Sequence, residues 1–365
     1  MIEVADIFRQ HAATYRTNHS LLPAQLRAMR DIELCRTAFF GGHVAQCDHC
    51  AKLRYAYHSC RNRHCPKCHG EQSAAWLEKQ QSRLLPCPHY LLTFTLPAAL
   101  RSLAYQHPKI VYGLLLRCAA AATQKLAADP QYLGATPAIL AVLHTWTRAL
   151  LYHPHVHLLV SAGGWNADQR WVSPKHPKFF VPVRALSIIF RAKIRQALKQ
   201  EHLLEQTPEK TWSQPWVVHC QHAGAGEKVL GYLARYAFRV AISNSRLESF
   251  ADGYVTFRYR DNRTQQLQHV TVSAEEFIGR FMLHILPPGF PKVRYYGLAS
   301  ASQHAARERA QALITAAITT DAEDAPTNCP CPTAKASSQL PLCPHCRIGH
   351  LIVVQSIRPQ RKFPP

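Results

Sequence analysis

Apolar and polar positions change their spacing several times along the chain, and each change predicts an element. LLPAQLRAMRDIELCRTAFF repeats its apolar residues at helical spacing, so residues 1 to about 40 read as helical with one apolar face. EQSAAWLEKQQSRL predicts another helix. At HYLLTFTLP the period becomes that of a strand, closed by a proline. AALRSLAYQHPKIVYGLLLRCAAAATQKLA is helical again and broken near Pro108. AILAVLHTW and HVHLLVSAGG read as strands, VPVRALSIIFRAKIRQALKQEHLL as an amphipathic helix, WVVHCQ as a short strand and EKVLGYLARYAFRVAI as a helix. GYVTFRYRD and QHVTVSAEEFIGRFMLHIL continue as strand, strand and helix. TTDAEDAPTNCPCPTAKASSQLP is linker-like, and HLIVVQSI beyond it fits a strand. The pattern contains no internal repeat and predicts an α+β fold, an antiparallel sheet covered by helices.

Composition narrows the partners. The 365 residues carry 43 Lys and Arg against 22 Asp and Glu, a formal charge of +21. Such a surface suits a polyanion, and nucleic acid is the usual one. The N-terminal stretch has no apolar signal core, and IVYGLLL stops at Arg117, too short to span a bilayer. A cytoplasmic location and reduced thiols are therefore expected, with no membrane partner. The thirteen cysteines then read as metal ligands before disulfides.

Five of them fall in CDHCAKLRYAYHSCRNRHCPKC. Its two C-x-x-C pairs make Cys47, Cys50, Cys65 and Cys68 the obvious tetrahedral zinc set. Cys60, with His43, His58, His64 and His69 nearby, leaves room for an exchanged ligand or a second ion. The basic RNRH and KLRY segments suit phosphate contact. Four more cysteines fall in CPCPTAKASSQLPLCPHC. There Cys329, Cys331, Cys343 and Cys346 read as a zinc ribbon, with CPHCRIGHL as its second knuckle turning into a strand. Cys35, Cys87, Cys118 and Cys220 are isolated and read as small buried hydrophobes.

The segment YHPHVHLLVSAGG carries different chemistry. Side chains alternate along a strand, so His155 and His157 point the same way, and two imidazoles one pleat apart can hold one metal ion. Pro154 cannot donate to a central ladder, so pairing is expected to start after it and to leave His153 outside. A third ligand is not evident; His144 on the neighbouring strand, or a Gln, Glu or Asn elsewhere, are the candidates. In YLARYAFR, Tyr232 and Tyr236 stack on one helical face, joined by Arg235 and Arg239. Val229, Leu230, Leu233, Ala237 and Val240 form the opposite, core-facing side. That layout offers a nucleophile, a cationic clamp for a phosphate and a spare nucleophile.

Together these segments resemble a known family. HPHVHLLV matches the His-hydrophobic-His motif of HUH endonucleases. YLARYAFRVAIS resembles the tyrosine helix of the two-tyrosine transposases of rolling-circle bacterial insertion sequences, and CDHC…SCRNRHCPKC resembles that family's N-terminal zinc-binding domain. RYRD, FIGRFMLHILPPGF and VRYYGL are similar to its downstream landmarks, so the resemblance covers nearly the whole chain. It implies a helical segment over 1–40, a zinc-binding module over 41–80, an HUH nuclease core over 86–320 and a C-terminal zinc ribbon over 325–356. It implies that His155 and His157 hold Mg²⁺ or Mn²⁺ and that Arg235 and Arg239 bind phosphate. Tyr232 or Tyr236 would attack phosphorus, giving a 5′-phosphotyrosine and a free 3′-hydroxyl. The substrate would be single-stranded DNA or a melted hairpin at the element's ends. A replication initiator or relaxase shares the HUH chemistry, but the cysteine module argues against both. A zinc hydrolase using His153, His155 and His157 would leave the tyrosine-arginine face idle. A non-enzymatic zinc-ribbon DNA-binding protein would leave the histidine strand unexplained.

Overall fold

The computed structural model describes residues 2–68, 70–176, 180–238, 241–261, 264–320 and 340–360; side chains at 70–72, 235–238 and 319–320 fall outside the description. Among the described residues the strands, in chain order, are β1 (Gly42–Cys47), β2 (Leu53–Tyr57), β3 (His89–Thr95), β4 (Thr136–Trp146), β5 (Tyr152–Trp165), β6 (Trp171–Val172), β7 (Val218–His222), β8 (Leu247–Ala251), β9 (Tyr254–Arg260), β10 (Leu267–Ser273), β11 (Val293–Gly297) and β12 (Leu351–Ile357). The helices are α1 (Val4–Asn18), α2 (Pro23–Glu33), α3 (Gly70–Gln81), α4 (Arg101–Gln106), α5 (Pro108–Ala127), α6 (Val183–Gln200), α7 (Lys210–Ser213), α8 (Glu227–Phe238), α9 (Ala274–Met282) and α10 (His304–Thr320). The fold is α+β, with antiparallel sheets flanked by helices. No described helix is long and apolar enough to cross a membrane.

The central sheet runs β11-β4-β5-β3-β7, with β6 added to β5. Period-2 alternation gives it two faces. Val156, Leu158 and Val160 of β5 join Leu92 and Phe94 of β3 and Ile139, Ala141 and Leu143 of β4 on one side. Leu114 and Leu115 of α5 and Phe190 and Ile194 of α6 pack on that side. The other side carries Leu140, Val142 and Leu159, which meet Leu230 and Leu233 of α8 and Trp76 and Leu77 of α3. Helical propensity alone does not place α8; burial of Leu230 and Leu233 against the sheet does.

The break expected near Pro108 is the α4–α5 junction, where His107 leaves helical geometry and Pro108 opens α5. The start of β5 differs from expectation. The strand begins at Tyr152 and contains Pro154. The register shifts between His144 and Trp146, which places the missing N–H at an irregularity in the ladder. The Pro154 carbonyl meanwhile accepts a 3.0 Å bond from Leu96 N–H.

A second core joins distant segments. Ile7 and Phe8 of α1 and Met29 and Ile32 of α2 pack with Val255 and Phe257 of β9 and Phe277 and Phe281 of α9. Phe8 meets Phe281 edge-on at 5.3 Å. The sheet β10-β9-β8 lies on this core, and a third sheet, β12-β1-β2, is built largely outside it.

Candidate active site and metal centres

A short turn connects β4 to β5. Thr147 N–H donates to the Leu151 carbonyl at 2.9 Å, and Leu150 adopts φ 64°. That turn sets a register in which His144 lies opposite His155 and Val142 opposite His157. On the other side, Thr93 and Thr95 of β3 pair with His157 and His155. Three imidazoles thus emerge on one face. Ring centroids are 4.5 Å apart for His144 and His157, 5.0 Å for His155 and His157, and 5.1 Å for His144 and His155. One ligand nitrogen from each lies within 4.8 Å of the others.

His144, one candidate among several in the sequence, is the third member of this cluster, and His153 is not in it. The Arg101 guanidinium donates to His153 Nδ1 at 2.8 Å. The His153 carbonyl accepts from His155 Nδ1 at 2.7 Å. A carbonyl only accepts, so His155 carries its proton on Nδ1 and presents the lone pair of Nε2. Thr93 Oγ1 lies 2.9 Å from His157 Nδ1, a hydrogen bond that holds that ring in place. Burial pushes His155 down to about 4 and His157 to about 3, with the neighbouring His155 charge adding to the latter. Burial, then the charges of His157, His155 and Lys292, holds His144 well below the usual imidazole range. All three rings are neutral at pH 7, the form that ligates a metal.

Trp146 stacks on His144 at 5.7 Å, and Lys292 Nζ lies 4.5 Å from the Trp146 ring. Burial, then the Arg63 charge, pushes Lys292 down to about 7. A lysine just ahead of a strand carries no distinguishing sequence signal, and sequence reasoning missed it.

α8 faces the histidine side of the sheet. Gly226 adopts φ 82°, and a Cβ there would lie 2.9 Å from the His89 ring, so only glycine lets the helix start this close to β3. With Leu230 and Leu233 fixed in the core, Tyr232 meets His157 edge-on at 6.1 Å. Tyr236 lies one turn further along α8 and Arg235 three residues after Tyr232. The side chains of both, and Arg239 altogether, are outside the described residues.

The cysteines group differently from the sets their spacing suggests. Cys35, Cys60, Cys65 and Cys68 form one cluster, and Cys47, Cys50, Cys343 and Cys346 another. Cys47 and Cys50 sit at the tip of the β1–β2 hairpin. Residues 58–68 fold back onto the end of α2 instead, where Cys35 waits, so the two C-x-x-C pairs never share a site. Cys35 is fully buried, as expected, and is in addition a member of the first cluster. Cys118 and Cys220 do pack on the main core, and Cys87 on a smaller one. Cys329, Cys331 and His69 lie outside the described residues. His64 takes no part in either cluster; its Nε2 accepts the Leu286 N–H at 3.3 Å.

In the first cluster Cys68 Sγ is 3.7 Å from both Cys35 Sγ and Cys60 Sγ. A disulfide requires about 2.0 Å. Zn–S bonds of about 2.3 Å at tetrahedral angles put sulfurs about 3.8 Å apart, so this donor set fits structural zinc. The cluster is tied to the main body: Arg63 donates to the Phe290 carbonyl at 2.7 Å, and Asn62 to Asp31 at 2.9 Å.

The pairing of a cysteine-rich N-terminal region with a histidine-bearing sheet and a tyrosine helix defines a class, and comparison with known proteins agrees. Residues 138–307 match the family model described as "Putative transposase", and residues 7–96 match "Transposase zinc-binding domain". Neither match reaches residues 340–360. The chain is 46% identical over 317 residues to "Putative transposase y4qJ" of Sinorhizobium fredii (strain NBRC 101917 / NGR234), covering 81% of this chain and 79% of that one. It is 31% identical over 296 residues to "Transposase for insertion sequence element IS801" of Pseudomonas savastanoi pv. phaseolicola, covering 74% and 70%. No solved structure matches. The chain belongs to the two-tyrosine insertion-sequence transposase family that carries an N-terminal zinc-binding domain. Its partner is accordingly DNA.

Proposed function

We propose that this transposase cleaves and rejoins single DNA strands through a covalent tyrosine intermediate, as rolling-circle transposition requires. The observation that carries this reading is Tyr232 on α8, edge-on to His157 of a three-imidazole cluster. The Tyr232 phenolic oxygen attacks the phosphorus and the P–O3′ bond breaks. The phenolic proton is accounted for on the departing 3′-oxygen. A 5′-phosphotyrosine and a 3′-hydroxyl result, and reversal by another 3′-hydroxyl reseals the strand without an outside energy source. Tyr236, one turn along, holds or cleaves a second end. Arg235 and Arg239 clamp phosphate, and Lys292 adds positive charge beside the imidazoles.

His144, His155 and His157 would hold the divalent ion, which when bound neutralises charge on the phosphate oxygens. An all-imidazole set suits a transition ion better than Mg²⁺, so Mn²⁺ is the preferred one of the expected pair. The metal-hydrolase alternative loses support because no carboxylate joins the cluster among the described residues and His153 is engaged elsewhere. A phenol must approach phosphorus in line, which an intact duplex obstructs, so the substrate is single-stranded DNA or a hairpin at the element's ends.

The test uses end-labelled single-stranded DNA from those ends with protein and Mn²⁺, resolved on a denaturing gel. The expected result is a covalent protein–DNA band that disappears in His155→Ala and in Tyr232→Phe/Tyr236→Phe. Tight binding with no covalent band on any end sequence would instead favour a zinc-ribbon DNA-binding protein.

A further inference from the structure

We infer that Cys343 and Cys346 complete a second zinc site with Cys47 and Cys50, so that residues 340–360 form one zinc ribbon with the β1–β2 hairpin. The partners are far apart in sequence. Cys47 and Cys346 are separated by 299 residues and Cys50 and Cys343 by 293, yet each pair of sulfurs lies 3.7 Å apart. All four sulfurs fall within 4.8 Å of one another. That is the edge length of a tetrathiolate zinc site, about 3.8 Å, and far beyond a disulfide bond.

Backbone geometry around the four thiols is that of two facing knuckles. The residue after Cys50, Ala51, and the residue after Cys346, Arg347, both adopt left-handed φ, 54° and 58°. Such a conformation is unfavourable for side chains with a Cβ and persists where the surroundings demand it. Amide N–H groups of His49 and Cys50 point at Cys47 Sγ at 3.4 Å, and that of Gly349 at Cys346 Sγ at 3.5 Å. The knuckles are also hooked to each other. His350 N–H donates to Asp48 Oδ1 at 2.7 Å, and Asp48 N–H to the His350 carbonyl at 3.1 Å. A Cβ on Gly349 would lie 2.4 Å from Asp48 Oδ1 and 2.7 Å from Cys47 Sγ, so glycine there permits the approach.

The rest of this unit supplies little else to hold it. β12 pairs with β1 along its length, but among the described residues its buried apolar cluster is small: Ala45, Cys47, Cys343 and Leu351, with Cys50 and Cys346 packed against them. Leu53, Tyr55, Val353 and Val354 are exposed. A sheet with so small a core needs a staple, and a tetrathiolate ion provides one. Cys329 and Cys331 are not required, because four sulfurs already complete the set.

Metal analysis of the full-length protein tests this. Wild type should hold about two zinc ions per chain, Cys343→Ser/Cys346→Ser about one, and Cys329→Ser/Cys331→Ser about two. Loss of an ion in the Cys329/Cys331 variant, or none lost in the Cys343/Cys346 variant, would overturn the assignment. A measurement on unaltered protein stands beside it: alkylation under graded chelation, read by peptide mass spectrometry. Cys47, Cys50, Cys343 and Cys346 should become reactive together. Free alkylation of Cys343 and Cys346 while Cys47 and Cys50 stay protected would equally refute it.

Discussion

The central sheet and the β12-β1-β2 sheet are both antiparallel, yet different forces hold them. The central sheet buries one face against α5 and α6 and much of the other against α8 and α3. Its histidines therefore sit on a scaffold held by packing, and the three-imidazole cluster is preformed. The ribbon sheet exposes most side chains of β2 and β12 and leans on four thiols. In one region the fold organises the ligands; in the other the ligands organise the fold.

Perturbing each region separately sharpens that contrast. The largest effect is chemical: Tyr232→Phe/Tyr236→Phe should lower strand cleavage at least about a thousandfold, read as a single-turnover rate, since residues acting as the nucleophile carry most of such a rate. Its thermal midpoint should stay near wild type, because Leu230 and Leu233, not the phenol, seat α8. Next comes core truncation. Leu158→Ala, fully buried in the main core, should cost roughly 2–5 kcal/mol in denaturant unfolding. Leu351→Ala in the ribbon should cost about 1 kcal/mol or less globally and weaken zinc retention instead.

Acid comes third. His284 is buried, lies near Thr145 Oγ1 and the Leu150 carbonyl, and is held by burial at about 4 rather than 6.5. The unfolded chain takes up a proton below pH 6.5 that the folded one refuses. The stability this group contributes is thus complete above pH 6.5 and is lost as pH falls through about 4, amounting to about 3 kcal/mol. His284→Gln should flatten the slope of stability against pH in that window by about one proton; an unchanged slope would contradict it. The smallest global effect belongs to zinc chelation. Amide exchange in β1, β2 and β12 should quicken while β4 and β5 keep their protection. Equal loss in both sheets would erase the distinction.

Legibility followed the same division. His155 and His157 were readable because a strand's period places neighbours two apart on one face. His144 was only a candidate, since the register of a hairpin partner decides it. Tyr232 was readable from helical spacing together with Leu230 and Leu233. The cysteine sets were not, because C-x-x-C spacing defines a knuckle but not which knuckle it faces. That choice is tertiary: Cys35 comes from the end of α2, and Cys343 and Cys346 arrive from nearly 300 residues away. Pro154 inside β5 was missed for a similar reason, because a ladder irregularity on β4 accommodates it.

The most direct measurement of the central claim is the chemical identity of the protein–DNA bond. Wild-type protein would be reacted with single-stranded end DNA and Mn²⁺, digested with nuclease and protease, and sequenced by tandem mass spectrometry. A nucleotide remnant joined through phosphate to Tyr232 or Tyr236 is the predicted result. Cleavage that leaves a free 5′-phosphate and no tyrosine adduct would contradict it.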